Sequence, residues 1–389
     1  MHNFDFYNRT RIVFGEGTIA RLGELAQPLG KKALLVYGKG SIKSNGVYDQ
    51  VVESLNAAGI EFVEFSGVKP NPTLTHTREG IALAKAEKVD MIIAVGGGSV
   101  LDESKAIAAG AVSDADVWDF FLGKAEVDTA LPVLTVLTLA ATGSEMNGGL
   151  VVTNEETHEK LGMIKEPLQP IASILDPSTT YSVNAAYTAY SSVDAICHLL
   201  ESYLTHSDDF APLQDRYVES IVKTIIEVTD TILESPDNYQ ARAIMMWAAT
   251  MAWNGTAPSG VGPFILPHHF IGHSMSALYD TPHGASLSIM LPAWMTWRAA
   301  QDPSKIAQFA KTVFDIDEAD PAEAARLGIA EFEGWCRKIG SPTTLSAANI
   351  PLEGGPEAIA ANAAPLRHMW GLPDYDEALI LEILKPAIR

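Results

Sequence analysis

The amino-acid sequence predicts an α/β domain built on a parallel sheet, followed by an all-α domain. Two observations carry this. In the first half, apolar runs of four to six residues alternate with helical stretches, as expected of strands buried on both faces and joined by helices. From about residue 185 onward, helical periods dominate and few β-branched runs interrupt them. The change falls near Asp176-Pro177-Ser178, so the α/β domain is placed at residues 1–184 and the helical domain at 185–389. A chain of 389 residues has room for two or three domains.

Taken in order, Asp5-Phe6-Tyr7 and Arg11-Ile12-Val13-Phe14 look like a β-hairpin or an edge arm. Lys32 to Tyr37 reads as a buried strand, and a helix follows from about Asn45 to Ala58. Phe62 to Phe65 is a second strand, before a helix from Leu74 to Ala86. Asp90 to Val95 is a third, leading into a helix from Ser99 to Ala111. In the second half, helices are expected over Ser191–Leu204, Leu213–Leu233 and Ala241–Trp253. An edge strand near Phe4–Phe14 would be safer paired with a second chain.

The formal net charge is −21. So acidic a surface repels phosphate backbones and anionic headgroups, so neither nucleic acid nor a membrane is expected as a main partner. Two cysteines, Cys197 and Cys336, exclude a disulfide scaffold and a thiolate zinc site. Met1-His2-Asn3-Phe4-Asp5 lacks the order of a signal peptide. The longest apolar run, Ala243 to Trp253, is too short to span a bilayer. A cytoplasmic protein is expected.

Two places concentrate chemistry. The third strand runs directly into Gly96-Gly97-Gly98-Ser99 and then a helix. Glycines permit a sharp turn and close approach of a ligand, and the helix N-terminus offers free N–H groups to a phosphate. The first strand ends in Gly38-Lys39-Gly40-Ser41-Ile42-Lys43, a second and weaker glycine loop. Further on, Asp194 and His198 lie four apart within a helical pattern and share a face. Of ten histidines, four fall between His268 and His283, and His269 and His273 are again four apart. One carboxylate and three imidazoles suit Fe²⁺ or Zn²⁺. His198, His269 and His283 are assigned to the metal with Asp194, leaving His273 either to support the ligands from behind or to transfer a proton. His268 and the remaining histidines read as packing residues, as does Cys197.

These motifs resemble those of the iron-containing (group III) alcohol dehydrogenases. Gly96 to Lys105 is similar to the family's GGGSxxDxxK run. Thr142-Gly143-Ser144-Glu145 resembles its TGSE element, and Asp194-Ala195-x-x-His198-x-x-Glu201 its DAxxHxxE helix. His269-x-x-x-His273 with Pro282-His283-Gly284 resembles its HxxxH and PHG signatures. The likeness runs from Phe14 to the last helix and is greatest to the NADPH-dependent aldehyde reductase and butanol dehydrogenase branch. It implies a Rossmann-like nucleotide domain in a dehydroquinate synthase-like architecture, and a homodimer as the assembly. It places the metal on Asp194, His198, His269 and His283, with His273 as an additional active-site histidine. It places the pyrophosphate on Gly96, Gly97, Gly98 and Ser99, and the adenine and its ribose near Thr138 and Thr142. Asn71 falls beside the adenosine, Lys160 near the nicotinamide ribose and Asp102 near the nicotinamide amide. Leu137 to Ala141 departs from the usual Pro-Thr-Thr-Ala-Gly.

The chemistry expected is hydride transfer between NADP(H) or NAD(H) and an alcohol or aldehyde, with one divalent metal, Fe²⁺ or alternatively Zn²⁺. NADP(H) is favoured because Gly38 stands where an acidic residue would repel a 2′-phosphate, with Ser41, Lys39 and Lys43 close by. No Lys or Arg occurs from Ser191 to Tyr203 or from Asn254 to Trp297. Small to medium neutral aldehydes and primary alcohols are therefore the expected substrates. The alternatives are a dehydroquinate synthase-like or glycerol dehydrogenase-like enzyme using NAD, and a non-catalytic nucleotide-binding protein.

Overall fold

A computed structural model describes residues 1–208 and 210–389. The chain divides into two compact units. One comprises Tyr7–Val183 and Asp237–Asn254; the other comprises Met1–Phe6, Asn184–Pro236 and Gly255–Arg389.

The first unit is built on a parallel sheet. Its strands are β1 (Arg11–Phe14), β2 (Lys32–Tyr37), β3 (Glu61–Ser66), β4 (Met91–Gly96), β5 (Val133–Leu137) and β8 (Ala172–Leu175), in the order β1-β8-β5-β4-β2-β3. A two-stranded antiparallel ribbon, β6 (Gly149–Asn154) with β7 (Glu159–Ile164), interrupts the series. Inner strands β4, β5 and β8 are buried throughout, and β2 from Ala33 onward, as their unbroken apolar sequences require. At one edge, β3 mixes half-buried and exposed positions and carries Glu61 and Glu64, which blunt it against further pairing. Helices α1 (Leu22–Ala26), α2 (Ser41–Ser44), α3 (Val47–Ala57), α4 (Leu74–Glu87), α5 (Gly98–Ala111) and α6 (Val117–Phe121) connect the strands. Ile19, Leu22, Val51 and Leu55 pack with Leu35, Ile93, Val136 and Ile174 in one core. Each such side chain contributes about 1.5–3 kcal/mol by leaving water.

Some expectations change. Arg11–Phe14 is an edge strand, but Asp5–Tyr7 is not a strand and no hairpin forms. The partner of β1 is β8, parallel, with Arg11 opposite Ala172 and Phe14 opposite Leu175. A partner so far along the chain leaves no local pattern. The helix expected from about Asn45 to Ala58 is α3, Val47–Ala57; Gly46, whose φ of 80° only glycine adopts freely, separates it from the short α2 that the sequence did not announce.

The second unit is helical: among the described residues it holds α7 (Ala185–Thr205), α8 (Pro212–Glu234), α10 (Pro267–Tyr279), α11 (His283–Ala299) and four further α-helices toward the C-terminus. The helix between α8 and α10, α9 (Tyr239–Ala252), belongs to the sheet's unit. Asn184 caps α7 by accepting from the Tyr187 N–H at 2.9 Å. Every residue of α7 from Ser191 to Leu204 is buried, so this helix is central to its unit. Among the described residues no helix is long and apolar enough to cross a membrane.

Candidate functional site

The helical unit gathers the predicted Asp and His residues at one point. On α7, Asp194 and His198 stand one turn apart. Pro267, at the first position of α10, fixes where that helix begins and so where His269 and His273 fall. Asp280, with φ 50°, turns the chain sharply, and Pro282 then precedes His283 as the first residue of α11. Three elements thus converge. Asp194 Oδ1 lies 3.4 Å from His198 Nε2, 3.5 Å from His283 Nε2 and 3.8 Å from His269 Nε2. His273, one turn beyond His269, stands beside this group, its ring 5.3 Å from that of His283 and edge-on to Trp370.

The donor set fits a divalent cation. A tetrahedral ion with bonds of ~2.0–2.2 Å holds neighbouring donor atoms ~3.3–3.6 Å apart, close to the spacings above. Asp194 Oδ1 and His269 Nε2 are buried and have no hydrogen-bond partner among the described residues, a costly arrangement unless something else satisfies them. Burial pushes the His198 imidazole down to about 4, so it stays neutral and able to donate a lone pair at pH 7.

Glu201, three residues past His198 and fully buried, orients the group. Its Oε1 accepts from the backbone N–H groups of His268 (2.8 Å) and His269 (3.0 Å), with His268 Nδ1 at 3.1 Å. Its Oε2 lies 2.7 Å from His269 Nδ1. A proton on Nδ1 leaves Nε2 of His269 aimed at Asp194, an arrangement that carboxylates impose on metal-bound imidazoles. Glu201 also supplies the first turn of α10 with the acceptor that Leu266, its cap residue, lacks. Burial opposes the charge on Glu201, and the contacts from His269 and His268 more than reverse this, holding the carboxyl below its usual range. Along the sequence Glu201 is a motif position without a role; its place three residues past His198 and seven past Asp194, on the same helix face, was the available signal. Cys197, Glu201 and His268 also cluster. They do not make a second metal site, because both Glu201 oxygens are taken and burial pushes the Cys197 thiol up to about 12. His268 is fully buried, edge-on to Trp294, and packs as expected.

The sheet's unit places the glycine loops at one crevice. β2 leads outward to β3, whereas β4 leads the opposite way to β5. The carboxyl ends of adjacent strands β2 and β4 therefore face the switch point where open α/β sheets bind ligands. Gly38 directly follows β2, and Gly97 and Gly98 follow β4 and open α5. A Cβ at Gly98 would lie 2.5 Å from Thr142 Cγ2, and one at Gly97 2.8 Å from Leu139 Cβ. The loop after β5 thus closes against bare backbone, and Thr138 N–H bonds Gly96 O at 2.9 Å. Ser99 Oγ donates to Pro70 O. Lys160 Nζ donates to Asn71 Oδ1 at 3.0 Å, so these two predicted residues meet in a buried pair. Asp102 is buried one turn inside α5, and Ser41 is exposed at the start of α2.

Lys43 is differently placed from its expected role. Its ammonium bonds Glu64 Oε2 at 3.0 Å and lies over the rings of Tyr48 (4.5 Å) and Tyr37 (5.1 Å). Hydrogen bonds from Tyr37 and Tyr48, with Lys43, bring the Glu64 carboxyl down to about 2. The charge of Lys43 is thereby balanced locally, whereas Lys39 is exposed.

Comparison with known proteins bears on both halves. Residues 9–177 match the model for the iron-containing alcohol dehydrogenase family, and residues 188–387 match its C-terminal family model. A probable NADH-dependent butanol dehydrogenase 1 of Bacillus subtilis (strain 168) is 43% identical over 348 residues, 89% of each chain. The NADPH-dependent aldehyde reductase YqhD of Escherichia coli (strain K12) is 39% identical over 349 residues, again 89% of each. The crystal structure of NADH-dependent butanol dehydrogenase A from Thermotoga maritima superimposes with a TM-score of 0.96 at 44% identity. It covers 100% of this chain and 99% of that one. With both units matched over nearly their whole length and the buried Asp/His cluster in place, this chain belongs to the iron-containing alcohol dehydrogenase family of oxidoreductases.

Proposed function

We propose that this protein is a metal-dependent alcohol dehydrogenase, or aldehyde reductase, acting on small to medium neutral primary alcohols and aldehydes with NADP(H) preferred. The observation that carries the reading is the convergence of three imidazole nitrogens within 3.4–3.8 Å of Asp194 Oδ1. Asp194, His198, His269 and His283 would hold one Fe²⁺, with Zn²⁺ as the alternative. When bound, the ion would act as a Lewis acid toward the substrate oxygen, and the dinucleotide would supply or accept the hydride. Asp194 lowers the net charge of the cluster and draws the three rings together. His273, beside the ligands, is the group assigned to carry the alcohol proton toward solvent. The turn at Gly96, Gly97, Gly98 and Ser99 leaves backbone N–H groups free at the start of α5 for a pyrophosphate. Thr138, Thr142, Asn71, Lys160 and Asp102 would complete the dinucleotide site, with Gly38 and Ser41 at the adenosine end. The segments that carry the ligands lack Lys and Arg from Ser191 to Tyr203 and from Asn254 to Trp297. This disfavours anionic substrates and the lyase alternative. Apolar pockets separate substrates by only about 1–3 kcal/mol per methylene, so broad chain-length tolerance is expected.

The test is butanal reduction followed by absorbance, with NADPH and with NADH, before and after chelation. Turnover should fall at least a hundredfold on chelation, since Lewis acidity contributes roughly several kcal/mol and each 1.36 kcal/mol is a decade in rate. Fe²⁺ or Zn²⁺ added back identifies the metal. Turnover that survives exhaustive chelation, or none with any aldehyde in the metal-loaded protein, overturns the reading.

Cofactor choice has its own test. With Lys43 held by Glu64, Lys39 is the cation left to meet a 2′-phosphate. Lys39→Ala is expected to weaken NADPH binding about fivefold, the size of one solvent-exposed charge-assisted contact, while NADH binding stays constant. Titration by nicotinamide fluorescence measures both. Equal change for the two cofactors would remove Lys39 from the specificity argument.

A further inference from the structure

The fully buried Lys105 of α5 has no part in the chemistry above, yet its ammonium is well satisfied. It donates to Gly149 O at 2.7 Å, Ser144 Oγ at 2.8 Å and Asn147 O at 2.9 Å, with Asn147 Oδ1 further off at 3.4 Å. Three N–H donors meet three good acceptors, which is the inventory of a charged lysine. Because Ser144 Oγ accepts from Lys105, its single proton points elsewhere. It goes to Asp102 Oδ1, 2.6 Å away. The other oxygen, Asp102 Oδ2, accepts from Val151 N–H at 3.1 Å. A carboxylate has about four acceptor directions, and here two are filled by fixed donors. The chain ammonium–hydroxyl–carboxylate runs one way only, since an ammonium cannot accept.

We infer that Lys105, acting through Ser144, is a positioning residue that keeps Asp102 an oriented, pure acceptor for an N–H donor on the ligand, the carboxamide of the nicotinamide. This rests on the dinucleotide reading of the crevice and adds to it a device that separates the two halves of the ligand. The relay affects recognition of the nicotinamide, whereas the adenosine diphosphate half depends on the glycine turn. Burial works against the Asp102 carboxylate, bringing it up to about 6, and Lys105 is the largest influence opposing this, ahead of Ser144, Val151 and Lys160. Lys105 itself is brought down to about 8 by burial, against the pull of Asp102 and Glu145. The groups that face Asp102 are thus Lys105 on its own helix and Lys160 on β7, with the buried Glu145 acting on Lys105.

The experiment compares two ligands on the full-length protein by calorimetry: NADPH, and 2′-phospho-ADP-ribose, which lacks the nicotinamide. In Ser144→Ala, NADPH binding should weaken about tenfold, as for loss of one charge-assisted hydrogen bond. Binding of 2′-phospho-ADP-ribose should stay within twofold. A second variant, Lys105→Met, tests the direction of the relay by its pH profile. A protonated Asp102 cannot accept, so NADPH affinity should decline as pH falls through the Asp102 titration. Removing the ammonium raises that titration, so the decline begins at higher pH, with no such displacement for 2′-phospho-ADP-ribose. Equal losses for both ligands, or none, would make Lys105 and Ser144 scaffold only and overturn the proposal. Failure of the unmodified protein to bind NADPH, NADH or their analogues that lack the nicotinamide would overturn the dinucleotide reading itself, and the relay with it.

Discussion

His269→Ala is expected to abolish alcohol and aldehyde turnover, by about a thousandfold or more, while NADPH binding stays within about twofold. The asymmetry follows from which unit carries which group. His269 lies on α10 in the helical unit; the glycine loops, Asn71, Lys160 and Asp102 all lie in the sheet's unit. Alanine removes the imidazole whose Nε2 is 3.8 Å from Asp194 Oδ1. The cluster then keeps one carboxylate and two imidazoles, and a site that loses a ligand loses the Lewis acid with it. At 1.36 kcal/mol per decade, loss of several kcal/mol of transition-state stabilisation reaches the stated factor. Metal content by mass spectrometry, steady-state rates and a NADPH titration on the same preparation decide it. Equal loss of rate and of cofactor affinity would show the cluster to be structural.

Glu201→Ala is expected to act on the same site without touching a substrate. It deletes the acceptor of two backbone N–H groups and of the Nδ1 side of His269, all buried. Metal affinity should fall about 10–100-fold, the usual effect of losing a carboxylate behind a metal-bound imidazole. Stability should also fall by about 3–5 kcal/mol, the scale for opening a buried charged network. That is a drop of roughly 6–20 °C in the unfolding midpoint of a unit this size. The two effects are separable. The stability loss should persist in chelator, because the backbone donors of α10 are orphaned with or without an ion. The affinity loss appears only in a metal titration. An unfolding midpoint that matches the parent protein's in chelator would mean that α10 does not need this acceptor.

Much of the fold and the site was legible along the chain, for reasons that particular residues make plain. Lys32–Tyr37 is a strand with the expected bounds, because five buried apolar residues between polar neighbours leave no other reading. α8 extends the expected helix by one residue at either end, whereas α7 begins six residues before the expected Ser191 and ends one residue later than expected. Asp194, His198 and the dense histidine group stood out because i,i+4 spacing fixes a shared face before any tertiary contact is known. What stayed hidden depends on pairing across long separations. The ribbon β6–β7 mixes apolar residues with Gly, Thr, Asn, Glu and Lys without the alternation that would announce a strand. Arg11–Phe14 finds its partner about 160 residues later. Glu201 gains its role from N–H groups 67 and 68 residues away. Lys43 looked free in sequence, and only the sheet brings Glu64 beside it.

The placement of α9 bears on how the protein is made. Tyr239–Ala252 is translated after two long helices of the other unit, yet it completes the sheet's unit. There, Thr250 bonds Glu145, Trp253 O accepts from Asn147 Nδ2 at 3.2 Å, and Trp247 packs edge-on against Phe14. At about 5–20 residues per second, the ribosome needs several seconds after Val183 to deliver this segment. Through that interval the nascent sheet is whole but its last helix is still unmade, leaving Phe14 and Glu145 without their partners. Two separately expressed pieces divided between residues 183 and 184 would reproduce that unfinished state permanently.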